Sequence, residues 1–265
     1  MAIKAIFDVP APAKLNLFLH LLGRRSDGYH ELDSLMVPID WSDTLHFERR
    51  GDGRLSRHDL GPALPDDDLS LRAARALQQA SSTPYGVDIS IDKRVPWAAG
   101  LGGGSSDAAS TLLALNLLWE VDWPLARLLP IGLGLGADVP FFLGGLPARV
   151  AGIGDRLAAA RVEPGWFAVV KPLAGLDTGA VFASATLPAA TPADRITGFS
   201  EAARCPRDGP GPGPSAHGSE HGDARSQETE PELADGFGRN DLQPAAEVLC
   251  PDVVRAAAAL REVFG

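Results

Sequence analysis

PWAAGLGGGSSDAA, residues 96–109, decides how this chain is read. Four glycines and two serines crowd into it, so the stretches on either side must say what it is for. Upstream, VDISIDK (87–93) alternates, with Val87, Ile89 and Ile91 on one face. That is the period of a strand. Downstream, DAASTLLALNLLW (107–119) is apolar nearly all round, which predicts a buried helix. Strand, glycine loop and helix start are the parts of a phosphate cradle. Glycines let backbone N–H groups turn inward and come close to phosphate oxygens. A helix N-terminus adds free N–H groups and the positive end of a dipole. Ser105 and Ser106 can cap that helix or offer hydroxyls to phosphate. Two familiar cradles are excluded: no Gly-Lys-Ser/Thr follows, and with Gly100 and Gly102 as the first pair, position 105 is Ser where a dinucleotide loop needs a third Gly. The alternative, a mobile glycine linker, fits poorly between a patterned strand and an apolar helix.

Outward from the loop, composition bounds the answer. The chain has 265 residues, 45% of them hydrophobic, enough for one large domain or two ordinary ones. A formal net charge of −10 excludes wrapping nucleic acid or lying on an anionic membrane, but a small anionic ligand needs only a local positive site. Two cysteines, Cys205 and Cys250, make no disulfide framework. The opening MAIKAIFDVPAPAK lacks the apolar run of a secretory signal. The most apolar region, Leu128 to Ala148, is interrupted by Asp138, Gly and Pro, which excludes a membrane-spanning helix there. The expectation is a soluble, cytoplasmic protein, monomeric or homodimeric.

Along the rest of the chain, KLNLFLHLL (14–22) predicts a strand with Leu15, Leu17, Leu19 and Leu21 buried and with Lys14, Asn16, Phe18 and His20 on the other face. RRSDGYH (24–30) reads as a turn and DTLHFER (43–49) as another strand. DDDLSLRAARALQQA (66–80) reads as a helix with acidic residues leading it. RLLPIGLGLGADVPFFLGG (127–145) predicts a short helix, a glycine turn, then a strand or loop. WFAVVKP (166–172) predicts a strand opening a second unit, and VVRAAAALREVFG a helix. Residues 201–232, rich in Pro, Gly, Ser and acids, predict a disordered insertion in which His217 and His221 are solvated loop histidines. The mixed order of elements points to α+β.

PWAAGLGGGSSDAA resembles the ATP-binding motif of the GHMP kinases, a group of small-molecule kinases. PAPAKLNLFLHLLGRRSDGYHELDSLM (10–36) and LGADVPFFLGG (135–145) narrow the resemblance to the 4-diphosphocytidyl-2-C-methyl-D-erythritol kinase family, from about Pro10 to Phe182, with weaker echoes at GRNDLQPA (238–245). The resemblance implies a two-domain fold. An ATP-binding N-terminal domain would span 1–160. A ferredoxin-like C-terminal domain would span 161–265. It implies transfer of the ATP γ-phosphate to the 2-hydroxyl of a cytidine-diphosphate sugar alcohol in non-mevalonate isoprenoid precursor synthesis, with Mg²⁺ accompanying ATP. Lys14 and Asp138 match the catalytic pair. Pro96, Trp97, Ala98, Ala99, Gly100, Leu101, Gly102, Gly103, Gly104, Ser105 and Ser106 match the ATP loop, with Lys93 near the adenine and Asp68 near the adenosine. Asn16, Tyr29, His30, Thr178 and Phe182 match substrate contacts, Tyr29 and His30 holding the cytosine. No cluster of metal ligands is visible. On pattern alone, Lys14 could be a strand-end lysine, Asp138 a turn or capping residue, Tyr29 a turn aromatic and Phe182 a core residue.

The chain departs from the family in three places. Asp68 and Asp107 stand where Asn is usual, the latter adding negative charge near the phosphates. The family's further C-terminal Gly-rich motif is also missing up to Gly265. An incomplete second domain, with an open sheet edge and an active site open on one side, is therefore expected. Two other readings follow: a related kinase with a different alcohol substrate, or a nucleotide-binding remnant without turnover.

Overall fold

A computed structural model describes residues 3–186 and 238–264. The chain is α+β, built on a mixed six-stranded sheet. β1 (Ala5–Arg24) and β2 (His30–Arg50) form a long antiparallel hairpin. The turn between them puts Gly28 at φ +91°, a conformation that glycine adopts without penalty. The other edge of β2 is shared: β4 (Gly86–Asp92) pairs with residues 44–50 and β5 (Ala148–Gly152) with residues 32–36, both antiparallel. β3 (Leu55–Asp59) lies parallel to β4, and β6 (Arg156–Ala159) antiparallel to β5.

Four helices belong to this sheet: α1 (Leu69–Ser81), α2 (Gly103–Leu118), α3 (Leu125–Leu135) and α4 (Val139–Gly144). α2 is central and touches α1, α3, α4, β1 and β2. Its Leu112, Leu115 and Leu118 join Leu45 and Phe47 of β2, Val87, Ile89 and Ile91 of β4, and Leu77 of α1 in one buried core. Most of the apolar character of 107–119 has this cause: α2 has neighbours on most sides, leaving only Leu113 and Leu117 of its leucines exposed. The acidic run before α1 also does its expected work, since Asp68 caps the helix by accepting from the Ser70 and Leu71 amides.

Four expectations change. The alternation in 14–22 breaks, because the pairing of β1 with β2 shifts register between Pro12 and Lys14 and between Asn16 and Phe18. Each bulge turns the following residues to the opposite face, so Lys14, Phe18 and His20 are buried while Leu15 and Leu17 are only half-buried. The strand at 43–49 is the far half of β2, and β3, with one apolar residue in LSRHD, carries no period to find. VPFFL forms the helix α4 rather than a strand or loop. Pro140 sits in its first turn, where a missing N–H costs nothing. Gly132 and Gly134 before it lie inside α3, where Gly132 lets α4 approach: a Cβ there would sit 2.7 Å from Leu143. Finally, WFAVVKP is not a strand. Among the described residues no strand runs beside it to complete a ladder, and Trp166 is fully exposed.

Beyond the sheet come α5 (Thr178–Ser184), α6 (Gln243–Leu249) and α7 (Pro251–Phe264), the last matching the helix expected at the chain's end. The segment before α6 docks on β1: Leu19 N donates to Arg239 O (3.0 Å), Asp241 N to Leu19 O (2.8 Å), and Leu21 N to the Asp241 carboxylate (2.9 Å). We propose a domain boundary near residue 160, where the sheet ends. The expected insertion at 201–232 lies outside the described residues.

Truncating Leu115 in α2, which is fully buried, removes packing that the rigid sheet cannot refill. Leu115→Ala is expected to cost about 2–5 kcal/mol, read as a lower urea midpoint at unchanged slope.

Candidate active site

The glycine loop closes over a cavity of about 450 Å³ lined by Pro96 to Ser105, Asp67, Asp68, Lys93, Lys14, Asp138 and Thr178. Its floor is set by close approach. Gly102, at φ +71°, would place a Cβ 2.8 Å from the Phe142 ring and 3.2 Å from Lys14 Cγ. Only glycine lets the loop rest on α4 and β1 there. Gly102 precedes α2 directly, and the helix begins with Gly103 and Gly104, so the amides of the first turn open toward the cavity. Ser105 lines it. Ser106 does not: its hydroxyl is fully buried behind α2.

Lys14 and Asp138 meet here from distant parts of the chain. Lys14 Nζ lies 3.9 Å from Asp138 Oδ2 and donates to Asn16 Oδ1 at 2.6 Å. Asn16 in turn donates to Ser34 Oγ at 2.9 Å, which donates to Phe18 O. This chain of bonds fixes the nearly buried lysine at the bulge in the middle of β1. Asp138 precedes α4, yet its side chain makes no capping hydrogen bond and stays about one-third exposed to the cavity.

The residues expected to contact substrate separate into two groups. Asn16 and Thr178 border the Lys14–Asp138 centre, Thr178 reaching it from the start of α5. His30 at the start of β2 and Phe182 on α5 face each other with ring centroids 5.9 Å apart. Tyr29 beside them is largely exposed, its amide held by Asp27 in the turn. Of the two residues placed near the adenosine, Asp68 borders the cavity but is engaged as the α1 cap and with Arg57 at 3.0 Å.

Lys93 borders the cavity, as does Asp107, and its ammonium is held between two carboxylates. Nζ sits 2.5 Å from a carboxylate oxygen of both Asp43 and Asp107. Asp43, on β2, also accepts from the Arg94 and Val95 amides at 2.6 and 2.7 Å. Burial pushes the Asp107 carboxyl up to about 7; Lys93 pulls it down and Asp43 pushes it up. The charge at Asp107 therefore faces Lys93 beneath the loop. Asp43 gave no signal in the sequence, where it is simply the first residue of an alternating strand.

Residues 68–145 match the GHMP kinases N terminal domain. The chain is 54% identical over all its residues to the 4-diphosphocytidyl-2-C-methyl-D-erythritol kinase of Methylibium petroleiphilum, spanning 82% of that protein. It is 53% identical over 96% of its length to the kinase of the same name from Variovorax paradoxus, spanning 80% of it. The chain belongs to the 4-diphosphocytidyl-2-C-methyl-D-erythritol kinase family. A crystal structure of 4-(cytidine 5'-diphospho)-2C-methyl-D-erythritol kinase superposes on it with a TM-score of 0.67 at 31% identity, over 97% of this chain and 82% of that one. The two-layer arrangement around the glycine loop is thus that of the kinase family.

The Asp107 carboxyl binds its proton more tightly in the fold than its ordinary value of 3.8 allows. The stability tied to that proton is present at low pH and is lost as pH rises through about 7. Asp107→Asn needs no proton. Its melting temperature relative to wild type is expected to climb between pH 5.5 and 7.5 and to level off above, as followed by circular dichroism.

Proposed function

We propose that the cavity binds ATP with its phosphates on the glycine loop, and that Asp138 takes the proton of the 2-hydroxyl of 4-diphosphocytidyl-2-C-methyl-D-erythritol as that oxygen attacks the γ-phosphorus. The P–O bond to the β-phosphate breaks, ADP leaves, and the phosphorylated sugar alcohol carries the new P–O bond. The observation that carries this reading is the Lys14–Asp138 pair, 3.9 Å apart at the mouth of the glycine cradle. Such a transfer depends chiefly on positioning and on charge compensation. Lys14 offsets charge developing on the attacking oxygen. Asn16 and Ser34 hold the lysine in place.

The amides of α2's first turn and the α2 dipole favour the triphosphate. Among the described residues no three carboxylates, histidines or cysteines gather to hold a metal ion. Magnesium would arrive with the nucleotide, on its phosphate oxygens, and neutralise charge there. His30, Tyr29 and Phe182 support a site for the cytosine, since an aromatic face stacks a base and a histidine can read its edge. No described helix is long and apolar enough to cross a membrane, in keeping with a cytoplasmic enzyme acting on soluble substrates in isoprenoid precursor synthesis.

A coupled ADP-release assay tests the whole reading: release should require both Mg-ATP and the cytidine substrate. Asp138→Ala is expected to lower kcat by about 10²–10⁴-fold while nucleotide still binds. Wild-type turnover in that variant would falsify the proton-acceptor role. Tyr29→Ala should raise the Michaelis constant for the cytidine substrate severalfold more than that for ATP; equal effects would remove the stacking role.

A further inference from the structure

We propose that nucleotide binding at this site is coupled to uptake of a proton, held by the buried cluster Asp43–Lys93–Asp107 beneath the glycine loop. The inference rests on the reading of the cavity as an ATP site.

Three elements deliver the cluster. β2 carries Asp43, the end of β4 leads into Lys93, and Asp107 lies in the second turn of α2. Their side chains are 0%, 7% and 4% exposed. Lys93 Nζ reaches both carboxylates at 2.5 Å. With both aspartates ionised, two negative charges would share one positive charge out of water, which is costly. A proton on one of them removes the surplus. The hydrogen bonds say which one. Asp43 accepts two backbone amides on Oδ1 and the ammonium on Oδ2, so both its oxygens are already engaged as acceptors. Asp107 accepts the ammonium on Oδ2, while its buried Oδ1 has no hydrogen-bond partner among the described residues. The proton therefore belongs on Asp107. Burial also raises the Asp107 carboxyl to about 7, so the proton is exchangeable near neutrality.

The cluster lies against the loop itself. A Cβ on Gly103 would sit 3.1 Å from Lys93 Nζ, so phosphate gathered by the first amides of α2 would be a near neighbour. The elements packed on α2 bring other charged groups: Lys14 on β1, Arg72 and Arg75 on α1, Arg127 on α3, and Asp138 ahead of α4. The largest influences on Asp107 are burial, Lys93 and Asp43. An arriving anion adds negative charge next to a site that is already short of positive charge. It shifts Asp107 further toward its neutral form, and a proton enters from solvent.

The probe is ADP with excess magnesium, which binds without turnover. Calorimetric titrations of wild type and Asp107→Asn in buffers of different ionisation heat count the protons exchanged, and the ligand's own protons cancel in the difference. Wild type is expected to take up a fraction of a proton more than the variant at pH 7.5. Its dissociation constant should rise about three- to fivefold from pH 7 to 8.5, as follows if binding lifts the Asp107 pKa by about one unit. The variant's should change less. Equal proton counts in two proteins that both bind would overturn the coupling and leave the nucleotide site standing. A flat wild-type affinity over that range overturns the coupling even if the variant fails to fold. No binding by wild type overturns the nucleotide reading and the coupling with it.

Discussion

One buried carboxylate, that of Asp43, joins the parts on which this molecule relies. It sits on the longest strand and accepts the two amides that lead the chain out of β4 toward the glycine loop. Through Lys93 it reaches α2. Sheet, loop and helix are thereby fixed by one charged group that water does not reach. A surface ion pair could not do this, because solvent would weaken it and leave the side chains mobile. Burial makes the arrangement costly to disturb, since removing one partner strands the other charges in a dry interior.

On that fixed frame the site is assembled from opposite ends of the domain. β1 brings Lys14, the turn between α3 and α4 brings Asp138, and the glycine loop lies between them. The contact of Gly102 with Phe142 and with the Lys14 stem makes the loop's height depend on both. The LGADVPFF segment thus has two duties: Asp138 faces the cavity, and Phe142, four residues on, supports the cradle from below.

The sequence displays whatever is periodic and local. The strand 87–93, the glycine cradle, α1 with its acidic cap and the buried α2 are all legible, because each repeats a 2.0 or 3.6 period or carries its own end signal. The hairpin bulges are not legible. A register shift depends on the partner strand, so the leucines at 15 and 17 look as buried as those at 19 and 21. α4 is too short to show a period, and WFAVVKP has the composition of a strand without a neighbour among the described residues to make it one. At the site, Lys14, Asp138 and the loop stand out through family likeness. The pairing of Lys93 with Asp43 depends on a contact fifty residues apart in the chain, which no local pattern records.

The docking of residues 239–241 on β1 bears on how the molecule is made. The amide of Leu21 waits for a carboxylate 220 positions further along. A ribosome delivers the hairpin and its helices long before that segment emerges. Until then the outer edge of β1 near Leu19 is an exposed strand edge, open to pairing with another nascent chain. A short segment that emerges late in synthesis completes that edge.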